Sequence, residues 1–357
     1  MVARREDVKL SRHVEQKLFH YNQPFELESG EVLEHFKLHY HTWGKINEAK
    51  DNIIWICHAL TANDDAQDWW QGMVGKGCIF DPEKHFIICA NMLGSCYGST
   101  GPMDINPKTK KKYLLDFPAY TFRDATYAFD ELRKHLEIEK IHTLVGGSMG
   151  GMNCVEWAII QPDLFENVIL LATCAKCSPW AIALNATQRM AIEADPTFKD
   201  PTIDAGKNGL RAARAVALLS YRNYEAYWNT QSETDTEKID HYRAESYQEY
   251  QGDKLIKRFN TQSYYFITKA MDSHHVGRGR ESLEKALSAI KANTLSIGIS
   301  SDLLFPPSEQ RFIAEHIKDA VYEEIDSFYG HDGFLIETKE ITLIIKEFYR
   351  NKGVKFL

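Results

Sequence analysis

Ser148 stands between Gly146-Gly147 and Gly150-Gly151 in the stretch IHTLVGGSMGGMNCVEWAII. The apolar run IHTLVG leads into it, and Met152, Val155, Trp157 and Ile159 can begin a buried helix after it. A strand that turns sharply into a helix lifts the residue at the turn above the sheet, at the helix N-terminus. There the unpaired amides and the helix dipole favour developing negative charge. The pattern Gly146-x-Ser148-x-Gly150 therefore reads as a nucleophile elbow with Ser148 as the attacking group. Glycine-flanked serines also occur in plain turns, so the reading depends on partners elsewhere in the chain. A dinucleotide-binding glycine loop fits less well, because Ser148 occupies its middle glycine position.

A serine hydroxyl is a weak nucleophile until a base takes its proton. Behind such an elbow an acid and then a histidine should follow, each in a loop after a late strand. Asp302 ends TLSIGISSD, directly after an apolar run. His331 lies in SFYGHDGFL, after VYEEI, between Gly330 and Asp332-Gly333. His331 would act as general base and Asp302 would fix its tautomer. The chain has 14 histidines; His331 is the one where chain order, flanking glycines and strand position agree. His85 and His142 border core runs and read as structural or surface groups. Two backbone amides should hold the oxyanion: that of Met149, after the nucleophile, and that of Leu60, in the loop of NIIWICHALTANDD.

These loops need a sheet to hold them. NIIWICHA, HFIICAN, IHTLVGG and NVILLAT are continuous apolar runs, which suit strands covered on both faces of a parallel sheet. HFKLHYHTW alternates instead, as a half-buried strand does. TFRDATYAFDELRKHLEI repeats Phe122, Ala125, Phe129, Leu132 and Leu136 at helical spacing. Strands alternating with helices predict an α/β fold. From about Lys176 to Lys291 no strand is evident, and AIALNATQRMAIEA, NGLRAARAVALLSYRN and YQEYQGDKLIKRFNTQSYYFITKAM read as helical. Strand signals resume with TLSIGISSD and AVYEEID, and TKEITLIIKEFYRN closes on a helix. The expected organisation is a core of residues 1–175 and 291–357, interrupted by a helical insertion of residues 176–290. The charge run QSETDTEKID reads as a solvated helix or loop.

The 357 residues are 44% hydrophobic and 26% charged, as in ordinary globular proteins. A net charge of −8 argues against nucleic acid or an anionic membrane as partner. No apolar run approaches the ~20 residues that span a bilayer. The beginning, MVARREDVKLSRHVEQ, lacks the apolar segment of a secretion signal. The seven cysteines are scattered through apolar segments, as reduced thiols of a cytoplasmic protein would be. The CAKC at Cys174 and Cys177 has no second Cys or His pair beside it and reads as packing, so no metal is expected.

Taken together, HALTA, CANMLGSCYGSTGPMDINP, DFPAYTFRD, VGGSMGGMNCVEWA, RMAIEADP, YGHDGF and Ser301-Asp302 resemble the homoserine O-acetyltransferase family of α/β-hydrolase-fold enzymes. The resemblance runs from about residue 36 to residue 337. It implies an α/β-hydrolase fold with a helical lid and a ping-pong transfer from acetyl-CoA to L-homoserine through acyl-Ser148. It also implies that Arg214 and Tyr221, about two helical turns apart, meet the amino acid, with Arg214 on its carboxylate and Asp332 on its ammonium group. Acetyl-CoA would be a co-substrate reached through a tunnel, with no permanently bound cofactor, and the lid helices would form a homodimer. Ala62, where the family usually has glycine, and His275, where an acidic residue is expected, depart from the pattern. A succinyl-CoA-dependent or serine-accepting relative, and an esterase using water, remain open, as does a non-catalytic binding module.

Overall fold

The apolar runs become strands whose side chains alternate between two buried faces. A computed structural model describes residues 14–354; the beginning read for a secretion signal lies mostly outside them. Strands β1 (Val14–Tyr21), β2 (Phe36–Trp43), β3 (Ile53–Cys57), β4 (Phe86–Ala90), β5 (Ile141–Gly147), β6 (Phe165–Leu171), β7 (Asn293–Ile299) and β8 (Val321–Ile325) form one sheet. Their order is β1-β2-β4-β3-β5-β6-β7-β8. The six strands from β3 to β8 run parallel, and β1 and β2 are antiparallel at one edge. Along β3, Ile53, Trp55 and Cys57 enter the core on one face, and Ile54 and Ile56 the core on the other. Burying each large side chain contributes roughly 1.5–3 kcal/mol, which is why the run cannot spare a polar position.

The helices of eight residues or more are α1 (Phe122–His135), α2 (Met149–Ile160), α3 (Pro179–Glu193), α4 (Lys207–Tyr221), α5 (Tyr224–Gln231), α6 (Arg243–Ile256), α7 (Thr261–Asp272), α8 (Pro307–Glu315) and α9 (Thr338–Asn351). Thr121 and Asp124 form a capping box that starts α1. On its inner side Phe129 packs near Trp157 of α2, and Trp157 meets Trp55 edge to face at 4.9 Å. Helix α9 covers the other face through Ile341, Ile345 and Phe348.

Between β6 and β7 the chain forms α3 to α7, with α4 packed on α3 and α6. The long helical stretch ending in FITKAM divides into α6 and α7 at Lys257–Asn260, where the Asn260 side chain accepts from the Ser263 amide at 2.7 Å. The charge run has no helix beyond Gln231; instead Glu233 pairs with Lys238 at 2.9 Å. The alternation of β2 holds from Phe36 to Tyr40 and then stops, because His41 is buried as well, stacked on Trp43 at 5.5 Å.

Candidate active site

Register brings four loops to one edge of the sheet. Cys57 pairs with Gly146, Gly147 with Leu171, Leu171 with Ile297 and Ile299 with Ile325. The carboxyl ends of β3, β5, β7 and β8 are therefore level, and α/β sheets bind ligands at that edge. Ser148 follows β5 with φ 56° and ψ −127°, a backbone state that non-glycine residues adopt only under constraint. The constraint is visible around it. A Cβ on Gly150 would strike the Cys57 carbonyl, and one on Gly146 would lie 2.5 Å from the Gly150 backbone. The glycines thus serve close approach, while the left-handed turn is carried by the serine itself. Thr173 Oγ1 donates to the Ser148 carbonyl at 2.8 Å, and the Ser148 amide donates to Leu171 at 2.9 Å, pinning the turn.

The Ser148 side chain makes no cap bond to α2. Its Oγ lies 2.7 Å from His331 Nε2, and His331 Nδ1 lies 2.6 Å from Asp302 Oδ2. The other Asp302 oxygen accepts from the amides of Leu304 and Phe305 at 2.8 and 2.9 Å. An ionised carboxylate is the acceptor for all three bonds, so Nδ1 carries the proton and Nε2 turns its lone pair to the serine. Phe305, Phe334 and Tyr221 ring the imidazole at 5.4, 5.5 and 5.8 Å. Ser148, Asp302 and His331 are each no more than 6% exposed. This arrangement can move a proton from a buried hydroxyl to a neutral imidazole and stabilise the cation that results.

Met149 is the first residue of α2, so its N–H has no partner within the helix. Leu60 sits in the turn after β3, and its amide meets no acceptor among the described residues. The Leu60 loop is anchored by a group that spacing did not single out. Asp64 Oδ2 lies 2.5 Å from His39 Nδ1 and 3.0 Å from His41 Nδ1. Burial opposes ionisation of Asp64, but the two imidazoles outweigh it and hold its pKa well below the carboxylate range. Burial likewise lowers His41, and the carboxylate beside it outweighs this and leaves the pKa raised. These three residues could offer ligands to a metal. As placed, each imidazole nitrogen stands closer to the Asp64 oxygen than the ~3.3 Å between donors around tetrahedral zinc, and the His39–Asp64 hydrogen bond ties β2 to the loop.

A cavity of about 580 Å3 opens above Ser148, within the size range of small-molecule sites. Leu60, Ala62, His331, Arg214, Tyr221 and Asp332 all line it. The Arg214 guanidinium lies 5.4 Å from the Tyr221 ring centre, and no carboxylate pairs with it among the described residues. Asp332 does have a partner: Arg222 Nε stands 2.9 Å from its Oδ2, off the line of a hydrogen bond. Burial pushes the Asp332 carboxyl up, against the pull of Arg222, Arg214 and His331. The cavity is also lined by Trp69, Tyr97, Lys254 and Arg258.

Residues 52–338 match the family model described as the alpha/beta hydrolase fold. A homoserine O-acetyltransferase of Cyclobacterium marinum is 48% identical over 345 residues, covering 96% of this chain and 98% of that protein. The chain belongs to the homoserine O-acetyltransferase family. The crystal structure of a homoserine O-acetyltransferase from Bacillus anthracis superposes with a TM-score of 0.86 at 27% identity, covering 95% and 98% of the two chains. An acetylester hydrolase from Corynebacterium glutamicum shares the architecture with a TM-score of 0.83 at 25% identity, covering 94% and 96%.

Within the homoserine O-acetyltransferase pattern, the two departures fall in different places. Ala62 faces the cavity and closes the turn by donating to Ala59 at 3.0 Å. His275 lies away from it, bridged to Lys176 where the chain re-enters the sheet domain. Cys174 and Cys177 are buried, and burial pushes their thiols up, Cys177 to about 12. Such neutral thiols are poor nucleophiles and poor metal ligands.

Proposed function

We propose that this chain transfers an acetyl group from acetyl-CoA to the hydroxyl of L-homoserine, as a step of methionine biosynthesis. The observation that carries the reading is the hydrogen-bonded Ser148–His331–Asp302 chain whose serine and histidine share one cavity with Arg214, with which no carboxylate pairs among the described residues. Ser148 Oγ attacks the thioester carbonyl while His331 Nε2 takes its proton. The oxyanion that forms is met by the amides of Leu60 and Met149. The C–S bond then breaks, and the CoA thiolate leaves with the proton from His331. Homoserine enters, His331 takes the proton of its hydroxyl, and that oxygen attacks acetyl-Ser148. Collapse frees O-acetylhomoserine and returns the proton to Ser148.

The insertion of residues 176–290 supplies Arg214 and Tyr221 to the acceptor site, as a lid over the sheet domain of residues 1–175 and 291–357. Arg214 makes a two-pronged bond to the amino acid carboxylate, steadied by the Tyr221 ring. Asp332 shares its carboxylate between Arg222 and the substrate ammonium group. Thiol release from acetyl-CoA should therefore be slow alone and accelerated many-fold by L-homoserine. Arg214→Ala should raise the homoserine KM by roughly 10–100-fold, the range of one charge-assisted contact, with acyl-enzyme formation little changed. If homoserine gives no acceleration, water is the acceptor and the protein is an esterase; preference for succinyl-CoA would make it a succinyltransferase.

The active unit is a homodimer joined through the lid helices. Trp180 and Met190 on α3, and the stacked Tyr224 and Trp228 on α5, each leave more than half of their surface exposed, as large apolar side chains at an interface would in the isolated chain. Sedimentation at micromolar concentration should give twice the chain mass, and a monomer there rejects the dimer. No helix among the described residues is long and apolar enough to cross a membrane. The reaction belongs in the cytoplasm, where unpaired thiols such as these seven stay reduced.

A further inference from the structure

We propose that Lys254 and Arg258, at the outer end of the cavity above Ser148, hold the phosphate groups of the acyl donor. This rests on the acyl-CoA reading and adds to it how the donor is recognised. The cavity runs from a buried end to an exposed one. Ser148 and His331 are 6% and 3% exposed, whereas Lys254 and Arg258 lie on the surface. A thioester carbonyl at the inner end therefore places the rest of its carrier along the cavity, with the far groups beside α6 and its C-terminal turn.

The charge balance along that path is uneven. Three cations line the cavity, Arg214, Lys254 and Arg258, against the carboxylates of Asp68 and Asp332. Asp332 is engaged by Arg222. Asp253, next to Lys254 in the chain, is taken by Arg211 at 2.6 Å, and Arg211 also reaches Glu249 at 3.4 Å. Among the described residues no carboxylate lies within salt-bridge distance of Lys254 or Arg258. The Arg258 guanidinium bonds only neutral acceptors, the Thr61 carbonyl and the Tyr97 hydroxyl, the latter at 2.7 Å. Its charge is thus oriented and not neutralised.

The inner and outer cations suit different anions. Arg214 is half-buried beside Tyr221, within reach of the group that His331 serves, and fits a single carboxylate. Lys254 and Arg258 are four positions apart and exposed, and they fit a group bearing several charges, such as a phosphate ester or pyrophosphate.

The test compares acyl-enzyme formation from acetyl-CoA with that from S-acetyl-N-acetylcysteamine, a thioester without phosphates. In Lys254→Ala and Arg258→Ala, kcat/KM for acetyl-CoA should fall by roughly 10–100-fold each, and the phosphate-free thioester should react as with wild type. The salt dependence of the wild-type acetyl-CoA KM should vanish in the double variant. Equal losses with both donors would overturn the proposal, as an effect on the oxyanion loop through Thr61. Unchanged acetyl-CoA kinetics, or a wild type that does not distinguish the two thioesters, would overturn it while leaving acyl transfer intact. A wild type acetylated by p-nitrophenyl acetate but by neither thioester would remove the acyl-CoA reading itself, and the phosphate site with it.

Discussion

Ser148→Ala should fold normally and lose on the order of 10⁵–10⁶ in kcat, the loss expected when the nucleophile of a triad is removed. Mixed with acetyl-CoA in the absence of an acceptor, the native chain should gain the mass of one acetyl group and the variant none. No other nucleophile in the cavity can take its place. Thr61, Tyr97 and Tyr221 line the same walls, but among the described residues the His331 ring is hydrogen-bonded to Ser148 and Asp302 and to none of these three. Cys57 and Cys154 are close in sequence to the elbow and its partner strand, yet both are fully buried behind it. A Ser148→Ala protein that acquires the acetyl group at the native rate refutes the assignment.

Asp302→Asn should be nearly as damaging, with about a 10⁴-fold fall in kcat and little change in the acetyl-CoA concentration needed. The reason lies in the two amides that Asp302 Oδ1 holds, those of Leu304 and Phe305. Asparagine keeps both bonds only if its oxygen stays there, which turns its NH2 toward His331 Nδ1. Nδ1 must then accept, so the ring proton moves to Nε2 and faces the Ser148 hydroxyl. The base is lost without a shift of any heavy atom. Single-turnover acylation measures this directly, and a loss below about tenfold would exclude the tautomer role.

Much of the parallel sheet was legible because a strand buried on both faces has no room for a polar residue. IIWIC, FIICA and the β5 run announce themselves by that excess. Strand β1, VEQKLFHY, did not, since it lies at the edge, with Phe19 buried and Leu18 46% exposed. The serine, acid and histidine were legible because chain order and glycine spacing reflect loops at strand ends. The rest of the cavity was not, because its members meet only through tertiary packing. Nothing local marks Arg222 as the partner of Asp332, 110 positions away, or Asp64 as the anchor for two histidines of β2. The break between α6 and α7 was hidden for another reason: apolar residues continue at helical spacing through it, and only Asn260 marks the new start.

The turn that carries His331 is packed against the end of α4. Gly330, at φ 67°, leaves so little space that a side chain there would meet the Tyr221 carbonyl at 3.0 Å and the Arg222 backbone at 3.1 Å. Arg214 stands on that same helix, so in the proposed reaction the anchor for a carboxylate and the base for a hydroxyl would belong to one rigid body. Together they form a ruler. An acceptor held by its carboxylate delivers its hydroxyl at a distance set by its own carbon chain, and one methylene alters that distance by about 1.5 Å. A displacement of ~1 Å can cost a factor of ~10² in rate. With those roles, the spacing between α4 and the histidine turn would sort short hydroxy amino acids by length.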